Sequence, residues 1–377
     1  MMVALMAVAA VNVRGSFTGP VAWSPDGYYY QAKVVQLEEG LNSQDALTRV
    51  MNEPAGRAAQ AAERASHVVP RLSDPAWLRY CLPVFQNRWF VPVLAYLITP
   101  FSGERSLELV TLAGYLLCGP LLFVMLRQRA SVLSSLVATI AALLIPPMTL
   151  AAEHPLTDTW GLLLEVAAVA VAFRVLQGPR AWRWLCLWTV LLAALALTRE
   201  VNVVLILAAF CAAVFVRNRR SLWLAATGAV TALPSLLLSG FPFRAQIAFT
   251  IDGFQIPRDD SWSYIASHIP GAIAGELDAD VLSPIMHADL ATTGAVVLLA
   301  VGPAVAVWTS FRRRDPCAGF LLGLVVAGLL YLASSPGPSS LRLALVLLPA
   351  ASLGFAMTLD SWRSWMSAAA RPAARLR

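Results

Sequence analysis

The segment Ser24-Pro25-Asp26-Gly27-Tyr28-Tyr29-Tyr30 sets a carboxyl group beside three tyrosines, ahead of a helix-like run from Gln31 to Glu38. On local chemistry, Asp26 reads first as a helix cap, since Asp after Pro and before a helical run satisfies free backbone N–H groups. The alternative is a general base, with Tyr28, Tyr29 and Tyr30 forming a wall against a sugar ring or a lipid headgroup. A second group, Ala152-Glu153-His154-Pro155-Leu156-Thr157-Asp158, packs three ionisable side chains into one short turn. Asp158 could cap the helix that follows. Equally, Glu153, His154 and Asp158 could bind a divalent metal or orient an acceptor hydroxyl, although no metal-ligand spacing rule is satisfied.

Cations form the third group: Arg199 beside Glu200, Arg342 after a Ser/Pro/Gly-rich stretch, and Arg88 before Trp89. The plain readings are an ion pair of Arg199 with Glu200 and snorkelling of Arg342 to an interface. The functional reading is a phosphate site, because a guanidinium fork matches phosphate oxygens. Glu165 falls about two turns inside an apolar run, where a carboxyl is a functional suspect or a polar contact between helices.

These groups must be held by elements suited to lipid. Of 377 residues, 58% are hydrophobic and 13% charged, with mean hydropathy +0.66. That leaves too little polar surface for a water-soluble enzyme. Apolar runs near the length of about 20 residues needed to cross a bilayer fall near 106–126, 131–150, 159–176, 182–198, 201–216, 221–239, 291–311, 317–333 and 341–359. With a short first helix, residues 1–13, they predict an all-α polytopic bundle of about ten transmembrane helices in one membrane domain, 1–377. The run from Trp89 to Phe101 is short and contains Pro92 and Pro100, so it reads as a helix lying in the interface.

Arginine clusters occupy every second connection: Arg127 and Arg129; Arg174, Arg180 and Arg183; Arg217, Arg219 and Arg220; Arg312 to Arg314; and the tail from Arg363. Placing them in the cytoplasm puts two long loops, 14–104 and 240–290, on the outer face of a bacterial cytoplasmic membrane. The formal charge of +6 is therefore topology, and no basic patch for nucleic acid emerges. No P-loop, GxGxxG or nucleophile elbow is present. The five cysteines make no disulfide or zinc framework.

In order, these features resemble the GT-C superfamily of integral-membrane, polyprenyl-phosphate-dependent glycosyltransferases, such as protein mannosyltransferases and lipid A aminoarabinose transferases. The resemblance rests on Asp26 with Tyr28 to Tyr30, on Arg88-Trp89-Phe90-Val91-Pro92-Val93-Leu94 closing with Phe101-Ser102-Gly103, on Glu153 and Asp158, on Thr198-Arg199-Glu200, and on Arg342 to Pro349. It covers most of the chain through short, degenerate motifs, and its specificity lies in their order. The chain departs from the pattern in lacking a His-Pro-Pro before the interfacial stretch and a large soluble C-terminal domain.

The resemblance implies an inverting transferase acting at the outer face. Asp26 would be the base, Arg199, Arg342 and Arg88 would bind the donor phosphate, and the partners would be membrane lipid, a polyprenyl-phosphate-linked sugar and an acceptor glycan, lipid or protein. No cofactor is assigned, and a divalent metal remains an option. Two rivals remain on the residues alone: a transporter or flippase of a lipid-linked sugar, and a noncatalytic subunit that keeps the scaffold. No internal repeat of the kind transporters use is visible.

Overall fold

A computed structural model describes residues 1–15, 25–54, 56–57, 60–61, 78, 80, 82–83, 85–154, 156–178, 181–238, 243–253, 255–286, 289–334 and 340–374. Pro155 and much of the first long loop lie outside the described residues. Among those described, the regular elements are helical and there is no strand. They run α1 (Met2–Asn12), α2 (Pro25–Glu39), α3 (Ser43–Met51), α4 (Phe90–Ser102), α5 (Ser106–Leu126), α6 (Val132–Leu144), α7 (Pro146–Glu153) and α8 (Asp158–Gln177). There follow α9 (Ala181–Ala196), α10 (Asn202–Val216), α11 (Arg219–Leu238), α12 (Phe243–Ile251), α13 (Trp262–Glu276), α14 (Leu290–Arg312), α15 (Ala318–Ala333) and α16 (Leu348–Ala374).

Several of these helices are those of a membrane protein. Among the described residues, Phe90–Leu126, Asp158–Gln177, Leu290–Arg312 and Ala344–Ser367 are long and apolar enough to cross a bilayer, and α6 with α7 makes a fifth if the bent pair is one span. The runs expected near 182–198, 201–216 and 317–333 fold as helices of 16, 15 and 16 residues. At 1.5 Å per residue these are shorter than a roughly 30 Å hydrocarbon core.

The segment 90–126 is not straight. Gly103 takes φ 57° and ψ −138°, which ends α4. Phe90 lies 5.5 Å from the ring of Trp160, and the Trp160 indole donates to the Val110 carbonyl at 2.7 Å. The start of α4 is thus beside the second turn of α5, so α4 folds back along it. Its Val91 and Ala95 are buried, whereas Val93, Leu97 and Phe101 are exposed.

Where one helix was expected over 131–150, the chain bends by 58° between α6 and α7. The cause is Pro146-Pro147: Pro147 has no N–H for the Leu143 carbonyl, which would be its helical partner. Tyr115 Oη donates to that carbonyl at 2.8 Å. Asn12 Nδ2 also reaches it at 3.4 Å and donates to Tyr115 Oη and Thr149 Oγ1 at 3.0 and 2.9 Å. The end of α1 is therefore held at the bend it helps to satisfy.

The bundle core is aliphatic and small-residue rich. In the α14–α16 contact, a Cβ added at Gly354 would lie 1.8 Å from the Gly302 carbonyl oxygen, so only glycine permits this backbone approach. A second core joins Tyr28, Tyr29, Tyr30, Val34, Leu47 and Phe85 to Val91, Leu107 and Leu156. It seats α2 to α4 over the end of the bundle where α5 and α8 begin.

Candidate functional site

The beginning of α8 is fixed by hydrogen bonds to α5. Thr111 Oγ1 donates to the Leu156 carbonyl at 3.0 Å, and Thr159 Oγ1 donates to the Thr111 carbonyl at 2.8 Å. The helix starts at Asp158 itself, with Thr157 at the cap position and no side-chain cap bond. Asp158 is therefore not a cap for a helix starting one residue later. Its carboxylate, 5% exposed, instead receives Arg199, which donates to Oδ1. Arg342 Nε is 3.5 Å from the same oxygen.

Arg199 arrives from the turn between α9 and α10. A Cβ at Gly161 would come within 3.1 Å of Arg199 Cδ, so the arginine stem packs tightly across α8 at this glycine. Sequence neighbours do not pair here: Arg199 turns to Asp158, while Glu200 turns to Arg88. The expected local pair of Arg199 with Glu200 is thus replaced by two pairs running in different directions.

Arg342 belongs to the short helix Ser340–Leu343, which leads through a 3-10 turn, Ala344–Leu347, into α16. Pro349 at the second position of α16 lacks the N–H that would continue an α pattern back to Leu345, consistent with the tighter turn before it. Arg342 does not snorkel outward. Its Nη2 donates to Asp26 Oδ2 at 3.0 Å. Asp26 sits in the first turn of α2, one residue inside the helix, with its side chain 29% exposed.

An alternating chain of charge results: Asp26, Arg342, Asp158, Arg199. Four segments far apart in sequence meet in it. Asp158 foremost, then Asp26, hold the Arg342 guanidinium above its usual range against the opposing effect of burial. Burial likewise opposes the charge on Arg199, and Asp158 overcomes it to raise that pKa. Both cations stay charged at any ordinary pH.

Arg88 takes a supporting position. Its Nε and Nη2 grip Glu200 at 3.3 and 2.8 Å, and Nη1 donates to Tyr30 Oη at 3.0 Å. The fork is bidentate and the arginine buried, a geometry that fixes direction as well as energy. Burial opposes ionisation of Glu200, but Arg88 holds its carboxyl below the usual range. Tyr30 Oη, whose pKa burial pushes up, continues to Thr157 Oγ1 at 3.1 Å. The Phe90 N–H also donates to the Leu197 carbonyl at 3.0 Å. Arg88 and Tyr30 thereby tie α2, the start of α4 and the 197–200 turn to the residue before Asp158.

The tyrosines lie inside, rather than lining an open wall. Tyr28, Tyr29 and Tyr30 are 4%, 3% and 1% exposed, and Tyr29 stacks on Phe85 at 4.4 Å. Glu153 is exposed at the end of α7 and His154 is half-buried, while Asp158 is committed to two guanidiniums. Among the described residues, no three His, Cys, Asp or Glu side chains converge as a metal site would need. The donor set around Asp158 suits an anion better than a cation.

Beyond Asp26, the charged chain borders a cavity lined by Asp158, Gly161, Glu165, Arg199, Tyr331 and Arg342, with aliphatic walls from Leu162, Val201, Leu343, Leu345 and Val346. On three of these lining residues, Arg199 Nε, Arg342 Nε and Glu165 Oε1 are buried and make no hydrogen bond, Arg342 Nε standing 3.5 Å from Asp158 Oδ1. Asp158, Gly161 and Glu165 form one stripe of α8, at i, i+3 and i+7. Sequence reasoning singled out Asp158 and Glu165 separately; their helical spacing could have joined them. Nothing in the sequence marked Tyr331 or Thr157. Compared with family models, with curated proteins and with solved structures, the chain matches none.

Proposed function

We propose that this protein is an inverting glycosyltransferase with a GT-C-like bundle of about ten spans, acting at the outer face of a bacterial cytoplasmic membrane. It would move a sugar from a polyprenyl-phosphate donor to an acceptor hydroxyl. The observation that carries the reading is the ion-paired chain Asp26–Arg342–Asp158–Arg199, whose two arginines line a cavity. Two arginines with spare N–H groups suit a phosphate, and the carboxylate at the end of the chain, partly open to solvent, suits an entering hydroxyl.

In this mechanism the donor phosphate takes up the spare donors of Arg199 and Arg342, and Arg342 loosens its hold on Asp26. The freed carboxylate removes the acceptor's hydroxyl proton as the oxygen attacks the anomeric carbon from the face opposite the phosphate. The new carbon–oxygen bond forms as the bond to the phosphate oxygen breaks. The electron pair leaves with polyprenyl phosphate, whose charge the guanidiniums stabilise. Configuration inverts.

The test is to incubate the lipid-reconstituted protein with polyprenyl-phosphate sugars and candidate acceptors, following release of polyprenyl phosphate and the anomeric configuration of the product. Release with inverted product is expected. Donor binding with no transfer to any acceptor, together with movement of the intact donor across the bilayer, would replace this reading with that of a flippase.

A further inference from the structure

At the end of the bundle where α8 finishes, two turns distant in sequence come together. Residues 217–220 join α10 to α11, and residues 312–314 close α14. Phe215 lies edge-on to Phe311 at 6.3 Å. A Cβ at Gly319, in the first turn of α15, would fall 2.9 Å from Phe215 Cβ. Around this aromatic pair Arg217, Arg219, Arg220, Arg312, Arg313 and Arg314 are all exposed. Among the described residues no acid pairs with any of the six. Asp315, the next residue along, is already taken by Arg129, Gln177 Nε2 and the Cys317 N–H.

A topology signal explains positive charge in these connections, but not where in each turn it stands. Arg217 has φ 49° and ψ 33°, and Arg314 has φ 52°. Such left-handed positions after a helix normally fall to glycine or asparagine, because a Cβ is crowded there. Arg219 and Arg220 open α11, where the helix dipole favours acids and opposes cations. Neither choice helps the isolated protein to fold. Both are offset if negative charge rests against the turns.

We infer that the two turns form a binding surface for a phospholipid with two phosphates, of the cardiolipin class, in the leaflet at this end of the bundle. One phosphate would lie at each turn, where guanidinium forks match its oxygens. Its acyl chains would lie on Phe215, Phe311 and Val214, all exposed. Basic surfaces between membrane helices take head groups of this kind. A soluble anion would leave the aromatic pair uncovered, and a lipid with one phosphate would use one turn only. The surface lies beyond the proposed function and does not depend on it.

The experiment measures binding of a fluorescent two-phosphate lipid to the full-length protein in phosphatidylcholine vesicles, with phosphatidylglycerol at equal total charge as the one-phosphate comparison. Wild type is expected to favour the two-phosphate lipid by at least about tenfold over the one-phosphate lipid. Each arginine near an anionic head group contributes about fivefold, so Arg217→Gly/Arg314→Gly should bind the two-phosphate lipid about 25-fold more weakly. In phosphatidylcholine alone that variant should unfold at the same or a higher temperature, since glycine relieves the left-handed positions. Weaker binding without loss of stability separates a lipid site from a folding role. Wild type that binds both lipids equally at equal charge would overturn the assignment, and so would a variant that binds the two-phosphate lipid as tightly as wild type.

Discussion

Helix α8 carries a polar cluster at each end, about 30 Å apart by helix rise, and the two are built differently. At the Gln177 end, Asp315 accepts from Arg129, from Gln177 Nε2 at 3.0 Å and from the Cys317 N–H at 2.8 Å. Nearby, Asp360 accepts from the Ser131 N–H and Oγ at 2.8 and 2.5 Å and from Ser134 Oγ at 2.6 Å. Each carboxylate there takes three or more bonds from the turns it joins. At the Asp158 end, the charges also join distant segments, but Arg199 Nε, Arg342 Nε and Glu165 Oε1 make no hydrogen bond, and their residues line a cavity. The first cluster is complete as a fastener. The second keeps hydrogen-bonding capacity that the protein itself does not use.

Four experiments would break or sharpen this contrast. The largest expected effect is on the closed end: Asp315→Ala removes the carboxylate that pairs with Arg129, and loss of one member of a buried pair costs about 3–5 kcal/mol. Unfolding should shift accordingly, while donor affinity stays unchanged. At the open end, Arg342→Ala should weaken donor binding by about ten- to a hundredfold, the scale of a charged hydrogen bond to phosphate. Its stability cost should be smaller, because Asp158 keeps Arg199 and Asp26 is already part-exposed. An Arg342→Ala protein with full donor affinity would remove the phosphate role.

A control away from both ends is Gly354→Ala, which forces a Cβ into the Gly302 carbonyl. Overpacking of this kind costs about 1–3 kcal/mol and should lower the unfolding temperature without changing donor affinity.

The smallest effect concerns pH. Lys33, the chain's single lysine, is buried with its Nζ 3.6 Å from the Trp89 ring centroid and donating to the Gln86 carbonyl at 2.9 Å. Burial first, and Arg88 second, lower its pKa to about 7. The unfolded chain holds this proton up to about pH 10.4, so between those values the unfolded state binds more protons and stability rises with pH. Below pH 7 both states are charged and the penalty is constant. Unfolding temperature should climb from pH 7 to 10 in wild type, and Lys33→Met should flatten that climb; an equal climb in both would assign it to other groups.

The membrane helices were legible because lipid imposes a simple rule on composition. The apolar runs near 106–126, 159–176 and 291–311 correspond to α5, α8 and α14. Boundaries failed where a backbone group decided them: the break between α6 and α7 was written in Pro146-Pro147, yet hydropathy alone reads through it. Of the site, the individual charges Asp26, Asp158, Arg199 and Arg342 could be picked out as expensive near lipid. Their pairing could not, because Arg199 has an acid beside it in sequence and finds its partner 41 residues away. The tyrosines illustrate the opposite difficulty. An aromatic triplet suits a ligand wall and a buried core equally well, and only the packing of Tyr29 on Phe85 separates the two.

The most direct test of the central claim, that the open cluster is a reaction site with Asp26 as its base, is single-turnover transfer from polyprenyl-phosphate sugar by wild type and Asp26→Asn in lipid, with donor binding measured alongside. The account predicts retained donor binding and a transfer rate lowered by about 10²–10⁴-fold in Asp26→Asn, the range of a lost general base. Transfer at near wild-type rate by that variant would contradict it.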